Sequence, residues 1–318
     1  MKQELRTSVW KRCALIMLSF AFSFSSISQM TEKASFMEAG ITIGPSNFLG
    51  DLGGNLGKGT PFLKDNNFQM TKLTFGGFLS YHVNEWFAAR LAVNIGTLEG
   101  DDAIINGKGG YEEARKIRNS NFKSKLMEVL LMAEIYPTVF LEYDPSDIFQ
   151  KFRPYGVIGV GGFHFNPRGT DPVTGQWVDL RPLHTEGQGF PEYPDRKEYK
   201  LTQVNIPMGV GLKYFLSENV NISFEIVHRK TFTDYIDDVS TNYIDPALFY
   251  ANMSSQQAAL AARMANKTGT PTSRIFNAGD KRGNPNYNDS YYSAGIKLGF
   301  RLNSGNPYRS STSCPIRF

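Results

Sequence analysis

From Leu73 to Gly96 the chain reads LTFGGFLSYHVNEWFAARLAVNIG. Phe75, Gly77, Leu79 and Tyr81 share one parity, and Thr74, Gly76, Ser80 and His82 share the other, with Phe78 as an exception. Beyond Asn84-Glu85 the alternation resumes as Phe87, Ala89, Leu91, Val93 and Ile95 against Ala88, Arg90, Ala92, Asn94 and Gly96. Strand side chains point alternately to opposite faces, so a period of two that survives a short turn predicts a β-hairpin. The design recurs in VNIPMGVGLKYFLSENVNISFEIVHR, residues 204–229, turning at Ser217-Glu218-Asn219. Pro207 stands inside that run without an N–H for the ladder.

Segments of this kind lie near 36–45, 68–82, 87–97, 123–142, 152–165, 199–216, 220–233 and 289–302. At about ten residues or more they suit tilted strands crossing a bilayer, and they exceed the five or six usual in soluble sheets. Their connections alternate in size: short at 83–86, 143–151 and 217–219, long at 46–67, 98–122, 166–198 and 234–288. The expected fold is therefore all-β: a transmembrane antiparallel up-and-down β-barrel of about eight strands, with short periplasmic turns and long extracellular loops. Tyr81, Trp86, Tyr143, Phe152, Tyr155, Tyr214 and Phe215 flank the short turns, as an interfacial girdle does. Mean hydropathy is −0.31. No run of about 18 charge-free apolar residues follows the N-terminal segment, which excludes a helical membrane protein but not a barrel.

The first 28 residues read as a secretory signal peptide. Lys2, Arg6, Lys11 and Arg12 form its basic head, Cys13 to Phe24 its apolar stretch, and Ser26-Ile27-Ser28 a small-x-small cleavage signal. The whole chain carries +4; the segment holds those four bases and one acid, Glu4, so the remainder is nearly neutral at +1. That balance gives no argument for nucleic acid as a partner. Cys314 is then the single cysteine left, which excludes an internal disulfide and a thiolate metal site. The expected organisation is 1–28 signal, 29–302 barrel with loops, and 303–318 a periplasmic tail.

The polar parities collect Glu38, Arg90, Glu128, Glu134, Lys213, Glu225, Arg229, Lys297 and Arg301. An eight-stranded barrel is only wide enough to be filled by side chains, and buried charges must pair. A closed, salt-bridged interior is expected in preference to an ion or proton path.

Elsewhere the chemistry is sparse. His82, His164, His184 and His228 show no ligand spacing. GGNLGKGT, residues 53–60, imitates a phosphate loop, but its glycines are one residue too close and Gly59 replaces the hydroxyl residue. Gly156 to Gly162 lie inside a strand, where they admit a neighbouring strand or lumen side chain. Asp234, Asp237 and Asp238 lack the spacing of a calcium loop. They are expected to anchor their loop by pairing with Arg274, Lys281 or Arg282. Asp245-Pro246 reads as a cap and first turn, opening a helical insert at about 246–267 with no strong apolar stripe. No catalytic residue, cofactor, metal or small-molecule substrate is expected.

ITIGPSNFLGDL, FRPYGVIGVGGFHFNP and HRKTFTDYIDDVS, in this order, resemble the PorG family, the outer-membrane barrels of the type IX secretion system of the Bacteroidota. The resemblance spans nearly the whole chain after the signal, with 246–275 the least similar. It implies a non-enzymatic barrel that associates with a periplasmic ring of PorK-like lipoprotein and PorN-like partner. Such barrels support export of cargo with C-terminal signals and, in some lineages, gliding. Two other classes stay open: an OmpA-like structural barrel or small pore, and an outer-membrane hydrolase using His164 and Asp234 at the rim. In the tail, Tyr308, Arg309, Arg317 and Phe318 are the candidates for docking a periplasmic partner, against the alternative of a plain disordered end.

Overall fold

The computed structural model describes residues 35–52, 68–106, 112–141, 148, 151–269 and 275–302. The signal segment 1–28, residues 53–60 and the tail 303–318 lie outside them. The strands are β1 (Phe36–Leu49), β2 (Lys72–His82), β3 (Phe87–Asp101), β4 (Asn121–Ile135), β5 (Phe152–Thr170), β6 (Trp177–Asp179), β7 (Thr202–Phe215), β8 (Val220–Thr231) and β9 (Ser290–Arg301). All except β6 form one antiparallel meander, ordered β4-β3-β2-β1-β9-β8-β7-β5 and closed by β4 on β5. This is the expected eight-stranded up-and-down barrel. The three-residue β6 folds back on the outer end of β5, Arg168 opposite Asp179 and Thr170 opposite Trp177.

The barrel is polar inside and apolar outside. Ile41, Leu91, Met127, Val160, Val204 and Phe224 are exposed on the outer wall, while Glu38, Arg90, Glu134, Lys213 and Lys297 are buried within. A belt of this size exposed to water is an association or aggregation surface; facing hydrocarbon it is the barrel's solvent contact.

Several strands run past their expected ends. β1 continues to Leu49, β3 to Asp101 and β5 to Thr170. There the inward positions become apolar: Phe48, Leu98, Phe122, Phe163 and Phe165 pack with Ile236, Val239 and Tyr291 beneath the long loops. β4 is shorter than expected and ends at Ile135, because Pro137 has no N–H to continue it and opens a 3-10 turn, Pro137–Leu141. β2 likewise starts at Lys72, after a 3-10 turn at Phe68–Met70.

The long loops fold over the barrel mouth with α1 (Glu112–Arg118), α2 (Pro246–Asn252) and α3 (Ser255–Ala265). The Asp245 carboxylate accepts from Ala247 N and caps α2 as its Asp-Pro predicts. The expected single helix is two, broken at Met253-Ser254. Its missing stripe is made of small residues: Ala258, Ala261, Met264 and Ala265 are buried against Leu180, Leu183, Phe190 and Phe249.

Pro45 and Pro207 interrupt one ladder each. β1–β9 pairing stops at Ile43–Ile296 and resumes at Ser46–Ser293, skipping Pro45. β5–β7 pairing skips from Ile158–Met208 to Gly161–Asn205, across Pro207. Their other edges stay paired, Pro45 with Leu73 and Pro207 with Arg229.

Two glycines set the lumen's shape. A Cβ at Gly161 would meet Asn205 Oδ1 at 2.4 Å, and one at Gly211 would meet the Tyr155 ring at 2.3 Å. Gly211 thus lets Tyr155, its cross-strand partner, lie over β7 and reach inward. The expected effect of Gly211→Val is a loss of about 1–3 kcal/mol in urea unfolding from lipid vesicles, from overpacking against that ring. Adding Tyr155→Ala removes the overlap, so the double variant should lose less than the two single losses combined.

Candidate functional site

The site with the densest chemistry is the lumen. Arg90 on β3 donates to Glu225 on β8 through Nη1 at 2.8 Å and Nη2 at 3.0 Å, and its Nη1 lies 3.0 Å from Glu134 on β4. Lys297 on β9 bridges the same two carboxylates, at 3.3 Å from Glu134 and 3.4 Å from Glu225. The Tyr155 hydroxyl donates to Glu225 at 2.8 Å, and the Tyr136 hydroxyl donates to Glu134. Phe78, the apolar exception in its strand, places its ring 4.5 Å from the Lys297 ammonium, a cation–π contact.

Toward the periplasmic end, Lys213 pairs with Glu38 at 3.1 Å, with His82 at 3.5 Å from the same carboxylate and Asn221 donating at 3.0 Å. Toward the outer end, Glu128 accepts from Arg229, Asn94 and Tyr291, each at 2.8 Å. Between these layers lies a cavity of about 30 Å³ bordered by Phe78, Arg90, Leu130, Glu225 and Arg229. That is room for one or two waters and no more.

The structure thus brings together eight of the nine lumen residues read from sequence, four acids with four bases. Arg301 stands apart. Its guanidinium lies 4.1 Å from the Phe36 ring at the periplasmic mouth and joins no ion pair among the described residues. Parity pointed it inward, but its strand ends there. Tyr155 is also corrected, from girdle to buried lumen ligand. His82, Tyr136 and Tyr291 were not singled out as lumen residues; an even-period count of buried aromatics would have found Tyr291 and Tyr155.

The extracellular cap is held by a second set of pairs. Arg118 makes a two-point contact with Asp102 at 2.7 and 2.9 Å and also donates to the carbonyls of Asp51 and Arg282. Arg282 donates to Glu186 at 2.7 Å. Glu186 also accepts from the backbone of Ser240 and Thr241 and from the Thr241 hydroxyl. Asp171 binds Arg263 of α3 at 2.8 Å.

The expected anchoring by bases holds for Asp238 and is corrected for Asp234 and Asp237. Asp238 pairs with Arg282 at 3.9 Å and also accepts from Tyr199 and Thr185. Asp237 accepts from the backbone N–H of Leu52 and Val239. Neither Asp234 nor Asp237 forms an ion pair among the described residues. The reason is competition: Arg282 is taken by Glu186, a residue the loop spacing gave no sign of. Lys281 is exposed, in a bridge with Asn242, and Arg274 lies outside the described residues. The rim pair also fails, since His164 faces outward and contacts Thr202 while Asp234 is buried in the cap.

Asp51, Asp234, Asp237 and Asp289 therefore sit together with too few bases. Burial pushes Asp234 up to about 8, with Asp51 and Glu186 adding to the rise and a Ser240 hydrogen bond opposing it. Burial and the neighbouring carboxylates raise Asp237 and Asp289 well above the usual range. Burial also raises Asp51, against a backbone hydrogen bond and Arg118. One oxygen each of Asp234 and Asp289 has no hydrogen-bond partner. Among the described residues, no three His, Cys, Asp or Glu side chains are arranged to hold a metal.

Two outcomes follow. Arg90→Met leaves Glu225 and Glu134 to share Lys297 and should cost about 3–5 kcal/mol in unfolding, partly recovered by adding Glu225→Gln. In the cap the Asp234 pKa is raised above an unfolded value of about 3.9, so its contribution to stability is full below that value and is lost as pH rises through about 8. Hydrogen-exchange protection factors over residues 233–240 should decline between about pH 6 and 9 while β2–β4 hold theirs, and Asp234→Asn should flatten the decline.

A model of the outer membrane protein beta-barrel domain matches residues 17–251. No curated protein matches the chain. Among solved structures, Ail of Yersinia pestis in complex with the heparin analogue sucrose octasulfate is similar at 10% identity and TM-score 0.34, over 84% of this chain and 99% of Ail. A major outer membrane protein of Thermus thermophilus is similar at 13% identity and TM-score 0.35, over 85% and 100%. OprG of Pseudomonas aeruginosa gives 10% identity and TM-score 0.33, over 85% and 96%.

Proposed function

We propose a function from one premise: the chain belongs to the outer membrane protein beta-barrel domain family and resides in the outer membrane, in contact with its lipid. On that premise it acts as a non-enzymatic barrel subunit of a type IX protein secretion machine. It associates with a periplasmic PorK/PorN-like ring and supports export and, in lineages that glide, gliding. The observation that carries the reading is the ordered set of three sequence motifs resembling the PorG family. The lumen is in keeping with it: four acids and four bases occupy the interior, and the cavity among them is about 30 Å³. On this reading function lies at the outer surfaces and the periplasmic end. There the turns at 83–86, 143–151 and 217–219 and the tail residues Tyr308, Arg309, Arg317 and Phe318 supply the contact.

Affinity purification of the full chain from native outer membranes tests this. The ring lipoprotein and its partner should co-isolate, and truncation after Asn303 should leave a heat-modifiable barrel that retains less of them. Recovery of the barrel without either partner sinks the secretion reading in favour of a structural barrel. Planar-bilayer recordings should show no stable conductance at neutral pH; well-resolved channels would overturn the closed lumen.

A further inference from the structure

The outer wall is not uniform above its apolar band. On β4 the outward positions run Ile135, Leu131, Val129, Met127 and then change to Lys125 and Lys123. On β5, next to it, Lys123 faces Arg168 and Lys125 faces Asn166 in the register. Neighbouring strands lie about 4.8 Å apart and alternate residues about 6.6 Å apart along a strand, so these three cations share a patch the size of one lipid headgroup. Lys72 adds a fourth.

The patch is only partly neutralised. Glu99 serves both Lys72 and Lys123, at 2.7 and 2.9 Å. Arg168 pairs with Asp179 at 2.9 Å, both half-exposed. Lys125 is exposed and has no partner among the described residues. Four bases thus face two acids. Trp177, on the same outward face beyond Arg168 and farther from the apolar band, is 40% exposed. The outward positions at the upper ends of β1 and β9, such as Pro45 and Tyr292, carry no charge.

We propose that Lys123, Lys125 and Arg168 form a binding site for a phosphorylated headgroup of an outer-leaflet lipid whose acyl chains lie along β4 and β5. The patch continues without a break from the hydrocarbon-facing wall, so a ligand held there has a place for both its chains and its phosphates. That continuity assigns a lipid rather than free phosphate. Charge complementarity selects an anionic headgroup, and the fork of Arg168 together with two ammonium groups suits phosphate oxygens. Lys230, an exposed outward lysine on β8, stands without such a cluster and serves as the control.

The full-length protein, purified in a non-ionic detergent, is titrated with diphosphoryl lipid A and bound lipid is counted by native mass spectrometry. One lipid per barrel is expected. Affinity should fall about 100-fold in the Lys123→Gln/Lys125→Gln/Arg168→Gln variant, from roughly fivefold per cation removed, and stay unchanged in Lys230→Gln. Heat-modifiable migration checks folding. Should the triple variant not fold, Lys125→Gln alone, which breaks no internal contact, should still lose about fivefold. Equal binding by wild type and variants overturns the proposal, as does an equal loss in Lys230→Gln. Displacement of the lipid by millimolar inorganic phosphate would assign the patch to free phosphate and overturn the lipid assignment.

Discussion

Charge compensation inside a narrow barrel is the constraint on which the rest of this structure depends. An eight-stranded barrel has an interior only wide enough for side chains to fill, yet this one directs eight ionisable side chains inward. An isolated ion there costs several kcal/mol, so each must meet a partner, and each partner comes from a different strand. Arg90 joins β3 to β4 and β8, Lys297 joins β9 to both, Lys213 joins β7 to β1, and Arg229 joins β8 to β4. Arg90–Glu134 and Lys297–Glu225 join neighbouring strands, and the other pairs reach across the lumen. A register slip of one residue would turn every one of these charges into lipid and every outward Leu or Val into the lumen. The network therefore specifies register and closure at once.

The cap solves a similar problem differently. Glu186 and Asp102 are fully buried and fully served by arginines and backbone donors. Asp234, Asp237 and Asp289 are buried without a base, and the proton is the compensation left to them. Burial thus raises the carboxyls of the cap, Asp234 to about 8, whereas the lumen carboxylates meet bases. An apolar layer of Phe48, Phe122, Phe163 and Phe165 lies between the two.

What was legible in the sequence follows from how local its cause is. Alternation is a property of neighbouring residues, so eight strands, their turns and the lumen parity could be read directly from segments such as Phe87–Ile95. Parity also placed Glu38, Glu128 and Lys213 inside. It failed for Arg301 because parity fixes a direction and not a depth. Pro137 ended β4 early, although its missing donor was readable in advance. The cap was opaque for a different reason. Arg282 meets Glu186 across 96 residues and Arg118 meets the carbonyl of Arg282 across 164. No local pattern records such pairings, so Asp234 and Asp237 were assigned bases that the fold had already committed, while Asp238 keeps Arg282 at 3.9 Å. The Ala258, Ala261 and Ala265 stripe was missed because alanine carries little hydropathic contrast, though its small size is what lets α3 lie close against Leu180 and Phe249.

A filled lumen and a buttressed cap leave three surfaces on which such a barrel can act: the periplasmic turns, the top of the cap and the wall. The wall is usually treated as passive, since lipid offers it no specific contact. Here its outer rim is asymmetric, cationic over β2–β5 and uncharged at the tops of β1 and β9. An asymmetric rim has an orientational consequence. A barrel without one rotates freely in the plane of the membrane, whereas one that gathers anionic lipid on a single side presents a fixed face to its neighbours through that lipid. The periplasmic turns keep a fixed angular relation to the rim, because the eight strands between them are locked by the lumen pairs. Lipid bound near the outer surface would therefore set the orientation of the periplasmic contacts without any moving part, the rigid charge network serving as the link between them.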